Sequence, residues 1–303
     1  MKLPLRHSLR RETVGLWLGV LGVAFFGITL PATRLATGTV DVPQLSPWFV
    51  TLGRAALAGM LSILFLSLTR SPWPQRSQWR PLGMAVLGNL LGYPLLLAYA
   101  LRAVTAGHAA VITALLPLVT SVCAALVLRQ RARPGFWICA LLGSALVVAF
   151  SALRAQSAAG HGAGFEVADL LLVGGVIAAS VGYVHGAQVT PALGAERVIC
   201  WVCVIALPLT LPATLILWPA QSVSAAAWAG FVYLGVFSMW AGFFAWYRGL
   251  ALGGALRISQ VQLLQPFFAI AASIPLLGES VDAVTLGFAV AVVLTVIVGR
   301  RFS

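Results

Sequence analysis

His108–Gln130 reads HAAVITALLPLVTSVCAALVLRQ, and 149 residues further on Arg257–Glu279 reads RISQVQLLQPFFAIAASIPLLGE. Superposed, they align Leu115 with Leu264, Pro117 with Pro266 and Leu128 with Leu277. Each run is long enough to cross a bilayer core, which takes roughly 20 apolar residues, and each holds a proline at the same place. The same offset puts Asn89 on Ser238, Ala100 on Gly249 and Leu101 on Leu250. The chain therefore carries a weak internal duplication.

Extending outward from this pair, apolar stretches between polar or Arg-marked breaks give ten spans. They lie near residues 15–35, 47–69, 82–101, 106–128, 135–153, 167–189, 198–218, 226–247, 257–278 and 283–299. The whole chain has 303 residues, 60% hydrophobic and 9% charged, far from the roughly 25% charged of a soluble domain. Ten crossings leave short loops and no room for an extramembrane catalytic domain. Residues 152–165, rich in Ala, Gly and Ser, form the one candidate linker. The basic stretch Lys2–Arg11 resembles the start of a signal peptide, but the apolar run after it is too long and nine more spans come after. An uncleaved first helix is expected.

The net charge of +12 comes from eighteen Arg and one Lys against seven acids. With the N-terminus inside, fifteen of the nineteen cations fall on the inner side, from Lys2 and Arg6 through Arg70, Arg129, Arg197 and Arg257 to Arg301. Cytoplasmic loops carry such an excess, so the charge reads as topology and no nucleic-acid partner is expected. Five spans per copy is an odd number, so the second copy crosses in the opposite sense, the inverted repeat of many secondary transporters. The expected fold is an all-α integral membrane protein of ten transmembrane helices in two inverted five-helix repeats, residues 1–153 and 154–303, with both termini cytoplasmic.

These residues identify a resemblance. The chain is similar to the drug/metabolite transporter superfamily, specifically ten-helix members with two EamA repeats. The similarity rests on Arg54 in the second span, the apolar-Pro helices at Pro117 and Pro266, LLGE at Leu276–Glu279, YRGLALGG at Tyr247–Gly254 and SQVQLLQP at Ser259–Pro266. It implies a carrier, with efflux the implied direction. Gln130 departs from the family pattern, standing where the first repeat often has the acid that Glu279 supplies in the second.

A carrier needs polar side chains at membrane depth, where they cost free energy to hold. In the ninth span Ser259, Gln262 and Pro266 share one helical face with Gln265 at its edge, and in the fourth Thr113, Pro117 and Thr120 do the same. Each proline lacks an N–H and so frees a carbonyl four residues earlier, at Thr113 and Gln262. Asn89 and Tyr93 share a face of the third span, with Ser238 the repeat mate of Asn89. Tyr183 of the sixth span points about 200° away from His185 at about 100° per residue, and Trp246 belongs to an aromatic cluster in the eighth. These twelve residues are the expected substrate pathway. Against each stands the reading that it is interhelical glue.

Arg54 lies seven residues into its span, about 10 Å from the outer boundary, and is expected to form a gating or structural ion pair with Asp169, Glu279 or Asp282. No acid falls at mid-span, which favours uniport, exchange, or proton coupling without a buried carboxylate. Without a fixed charge cluster, small neutral or zwitterionic metabolites fit better than multiply charged ones. No catalytic residue, metal or cofactor is expected: Cys200 and Cys203 lack a second ligand pair, and neither H-E-x-x-H nor G-x-S-x-G occurs. An intramembrane enzyme and a membrane sensor or assembly subunit are the competing classes. The expected partners are a small-molecule substrate and the lipid bilayer, and a homodimer is compatible with the sequence. The Arg-over-Lys bias points to a GC-rich bacterial genome and hence the cytoplasmic membrane.

Overall fold

The computed structural model describes residues 4–38, 42–103, 109, 112–130, 133–158, 167–277, 283–299 and 302. Six of its helical segments are long and apolar enough to cross a membrane: Arg11–Thr37, Pro47–Leu68, Arg76–Ala100, Val167–Leu193, Ala195–Ile216 and Ala225–Gly253. Shorter apolar helices run over Leu116–Val127, Pro134–Phe150 and Val290–Gly299. The ninth span is built in three pieces, Ala255–Ser259, Gln260–Leu264 and Gln265–Leu277. The ten expected spans thus all have a counterpart. The third begins earlier than expected, at Arg76 instead of residue 82, because a Gln75–Gln78 capping box starts its helix before the apolar run does.

Duplication extends to local backbone geometry. Pro47–Leu68 moved on by the sequence offset falls on 196–217, against the observed Ala195–Ile216. The third span changes to π-helix over Val86–Gly92, and the eighth over Leu234–Ala241, where the offset gives 235–241. Leu116–Val127 likewise predicts 265–276, against Gln265–Leu277. Single π turns inside α-helices are frequent at functional sites, and here they sit at Asn89 and at its mate Ser238.

Pro117 and Pro266 correct one expectation. Each is the second residue of a helix, Leu116–Val127 and Gln265–Leu277. There the missing N–H is one that a helix start leaves unpaired in any case. Neither kinks a continuous helix. Instead, each opens the second half of a span already broken, by a turn closed from Leu115 N to Ile112 O (3.1 Å) in the fourth and by the 3₁₀ segment Gln260–Leu264 in the ninth.

The loops expected on one side of the membrane are together at one end. Arg197 Nε donates to Ser71 Oγ (2.9 Å), Arg248 pairs with Glu196 (2.9 Å) and Arg257 with Glu12 (2.6 Å). Leu256 N donates to Gln130 Oε1 (3.2 Å) and Arg133 N to Phe302 O (3.2 Å). At the other end Ser224 N donates to Gln44 Oε1 (2.9 Å). Spans 6 and 7, and spans 8 and 9, are joined by single residues, Gly194 (φ +89°) and Gly254 (φ +83°). Such a conformation is open to glycine and strained for other residues.

The repeats meet through glycine. Gly15 and Gly19 of the first span face Gly249 and Gly253 of the eighth, each a G-x-x-x-G pair. A Cβ added to Gly249 would lie 2.9 Å from Gly19 N, and one on Gly15 would lie 2.7 Å from Gly253 N. Small residues let membrane helices approach backbone to backbone, and here they hold span 1 of one repeat against span 8 of the other.

Candidate functional site

Where the repeats face each other at mid-span, a cavity of about 20 Å³ remains, lined by Phe26, Thr29, Arg54, Asn89, Tyr93, Tyr183, Ser238, Phe243 and Gln265. That volume holds about one ordered water and excludes any metabolite. Five of the lining residues come from the first repeat and four from the second. Polar contacts around it join the two halves. Thr29 Oγ1 and Ser238 Oγ are 2.8 Å apart, Asn89 Nδ2 donates to Tyr247 OH at 2.9 Å, and Arg54 Nη2 reaches Met239 Sδ at 3.5 Å. Gln265 Nε2 makes a long contact of 3.5 Å with Phe26 O.

One wall is aromatic. The Phe26 and Phe243 rings lie 5.1 Å apart, Tyr183 and Phe243 5.9 Å, and Tyr183 packs edge-on to Trp246 at 5.5 Å. Trp246 is fully buried behind this wall and does not line the cavity. Asn89 owes its position to small neighbours: a Cβ on Gly182 would come within 2.6 Å of Asn89 Cγ.

Of the expected pathway residues, Asn89, Tyr93, Tyr183, Ser238 and Gln265 are brought together with Arg54. Thr113, Pro117, Thr120, Ser259, Gln262 and Pro266 are not among the lining residues. Thr113 Oγ1 donates to Ala109 O, four residues earlier in the chain (2.9 Å). Thr120 Oγ1 pairs with Ser180 Oγ (3.1 Å), Ser259 Oγ with Ser121 Oγ (2.8 Å), and Gln260 Nε2 donates to Ser121 Oγ (2.8 Å). Gln265 lines the cavity where Gln262 does not. Gln262 lies inside the 3₁₀ segment, buried with both polar side-chain atoms unpaired.

Arg54 also departs from expectation. It is 6% exposed, its Nε has no partner, and no carboxylate lines the cavity among the described residues. Asp169 is buried in the first turn of the sixth span and is not a lining residue, while Glu279 and Asp282 lie outside the described residues. The expected Arg54–Asp169 ion pair is therefore not formed. Arg34, the other cation within a span, is exposed. His185 Nδ1 lies 2.9 Å from Val181 O on its own helix, and His108 lies outside the described residues.

Phe26, Thr29 and Phe243 were not expected in the lining. Thr29 offered a weak signal, as a hydroxyl inside the apolar run of the first span, and Phe243 belongs to the same aromatic cluster of the eighth span as Trp246. A larger cavity of about 310 Å³ lies between Gln44, Ser46, Phe49, Leu217 and Pro219–Gln221, at the end opposite the Arg–Glu pairs. It has no charged lining residue among those described and lies at loops, away from the mid-span residues.

A family model described as EamA-like transporter family matches residues 13–152 and 167–299. Over 295 residues the chain is 37% identical to Uncharacterized transporter YdeK of Bacillus subtilis (strain 168), covering 96% of this chain and 99% of that one. A solved crystal structure superposes with a TM-score of 0.73 at 20% identity, over 95% of this chain and 96% of the other, and supports the fold alone.

Proposed function

Because the chain belongs to the EamA-like transporter family, in the drug/metabolite transporter superfamily, and is a membrane transporter by that membership, we propose that it carries a small metabolite, amino acid or amphipathic compound outward by alternating access. The observation that supports this reading most is the mid-span cavity walled by both repeats. A ligand there would touch both halves at once, so its binding and release couple to their relative movement. At about 20 Å³ the cavity is too small for cargo, which enters only after the halves part.

The breaks in the spans supply candidate moving elements. The π segments Val86–Gly92 and Leu234–Ala241 and the 3₁₀ segment Gln260–Leu264 are helix stretches whose hydrogen bonding can shift register without unfolding. An unpaired buried amide costs about 1–3 kcal/mol, which Gln262 would recover in a conformation that gives its side chain partners.

The arginine-rich end is placed in the cytoplasm on the positive-inside rule, with both termini there, in a bacterial inner membrane. The acids Glu12, Asp169 and Glu196 are absent from the cavity lining, in keeping with uniport, exchange, or proton coupling that uses no buried carboxylate. A metabolite-tolerance screen in cells with and without the protein samples substrate and direction together. Raised tolerance to a compound, with faster loss of it from preloaded cells, is the expected result. Tolerance unchanged across the panel, with no uptake into inside-out vesicles, would overturn the reading. A strict requirement for an imposed pH gradient would sink the uncoupled version.

A further inference from the structure

Resting on that carrier reading, we propose that Arg54 is the receptor for a carboxylate on the cargo, so that the transported class is an amphipathic monocarboxylate. Arg54 is buried, lines the cavity and leaves its Nε without a partner. Among the described residues its one hydrogen-bond contact is to the Met239 thioether, a weak acceptor, at 3.5 Å. The other lining residues are neutral. Among the described residues a guanidinium held this way is a buried charge without a counter-ion, an arrangement that is strongly unfavourable unless a partner is supplied.

The chain does pair its arginines where pairing is structural, as Arg248 with Glu196 and Arg257 with Glu12 at one end of the molecule. At Arg54 the fork of N–H donors matches the two oxygens of a carboxylate. Thr29 and Ser238, already 2.8 Å apart, supply hydroxyls nearby. The Phe26–Phe243 wall receives an apolar body. One negative charge neutralises the site. An amine would meet the guanidinium as a like charge, and a zwitterion's ammonium would find the unpaired Asn89 Oδ1 but no anion.

One scaffold in four charge states tests this: 3-phenylpropanoate, phenylalanine, phenethylamine and 3-phenylpropanol. Thermal stabilisation of the purified full-length protein is measured with each, for the wild type, Arg54→Gln and Arg54→Lys. The carboxylate is expected to raise Tm most, with affinity at least tenfold weaker, about 1.4 kcal/mol, in Arg54→Gln and an intermediate loss in Arg54→Lys. Ligand-free Arg54→Gln is expected to melt no lower than wild type, since a buried unpaired charge is removed, whereas a merely structural arginine would lower Tm. Equal or greater stabilisation by the amine or the alcohol, an unchanged carboxylate response in Arg54→Gln, or no response to the carboxylate at all would overturn the proposal. Proteoliposome flux separates the two readings. Carboxylate that binds but is never carried refutes the carrier and spares the receptor, while amine flux indifferent to Arg54→Gln does the reverse.

Discussion

Two buried polar clusters link the halves of this protein, and they are finished differently. Around Ser121, the hydroxyls of Thr120, Ser180 and Ser259 and the amide of Gln260 pair at 2.8–3.1 Å, and none of their buried side-chain atoms lacks a partner. Around Arg54, the guanidinium Nε and Asn89 Oδ1 have no partner. At this depth bulk water is out of reach, so an unpaired polar group is expensive. A cluster complete in itself holds helices together. One left incomplete, and adjoining a cavity, is where a missing partner binds.

The largest effect that tests this contrast is expected from Ser238→Leu, which fills the cavity. Transport should fall at least about 100-fold, equal to about 2.7 kcal/mol, while overpacking costs about 1–3 kcal/mol of stability. Flux assays beside thermal melts of the purified protein read both, and near-normal flux would show that cargo passes elsewhere. Ser121→Ala should do the opposite. It strips partners from Ser259 and Gln260 and lowers stability by about 1–3 kcal/mol, with flux changed less than about threefold. A large flux loss at unchanged Tm would erase the distinction between the clusters.

Smaller effects come next. Asn89→Leu should weaken flux about tenfold, or about 1.4 kcal/mol, and lower stability by about 1 kcal/mol through the lost bond to Tyr247 OH. Combining it with Tyr247→Phe should cost less stability than the sum of the two, a coupling of about 0.5 kcal/mol or more, and strict additivity would show that the bond does not form. The smallest change is expected from Gln262→Leu. Removing two orphaned atoms should raise stability by up to about 1 kcal/mol, and a drop in Tm would mean that Gln262 has partners in the resting state.

The ten spans were legible because crossing a bilayer demands long apolar runs and closely spaced breaks, features that composition carries openly. Asn89, Tyr93, Tyr183, Ser238, Arg54 and Gln265 were legible as polar residues at membrane depth, and the structure gathers all six. Helical phase alone did not separate the lining residues from the rest: Gln262 lies buried in a 3₁₀ segment outside the lining, and Thr120 and Ser259 are consumed by partners on other spans that periodicity cannot see. The π segments had no signature beyond the repeat itself. Arg54 was read as half of an ion pair because sequence shows which acids exist, not which of them reach it: Asp169 is not in the lining, and Glu279 lies outside the described residues.

The glycine seam between spans 1 and 8 bears on how the protein is made. Gly15 and Gly249 are separated by more than 230 residues of synthesis. At 5–20 residues per second, the grooved face of the first helix waits roughly 10–50 s in the membrane before its mate emerges from the ribosome. During that interval lipid or a membrane chaperone has to cover a surface shaped for another helix. Assembly of this protein is therefore limited by the order of translation: the earliest segment to enter the bilayer is among the last to find its place.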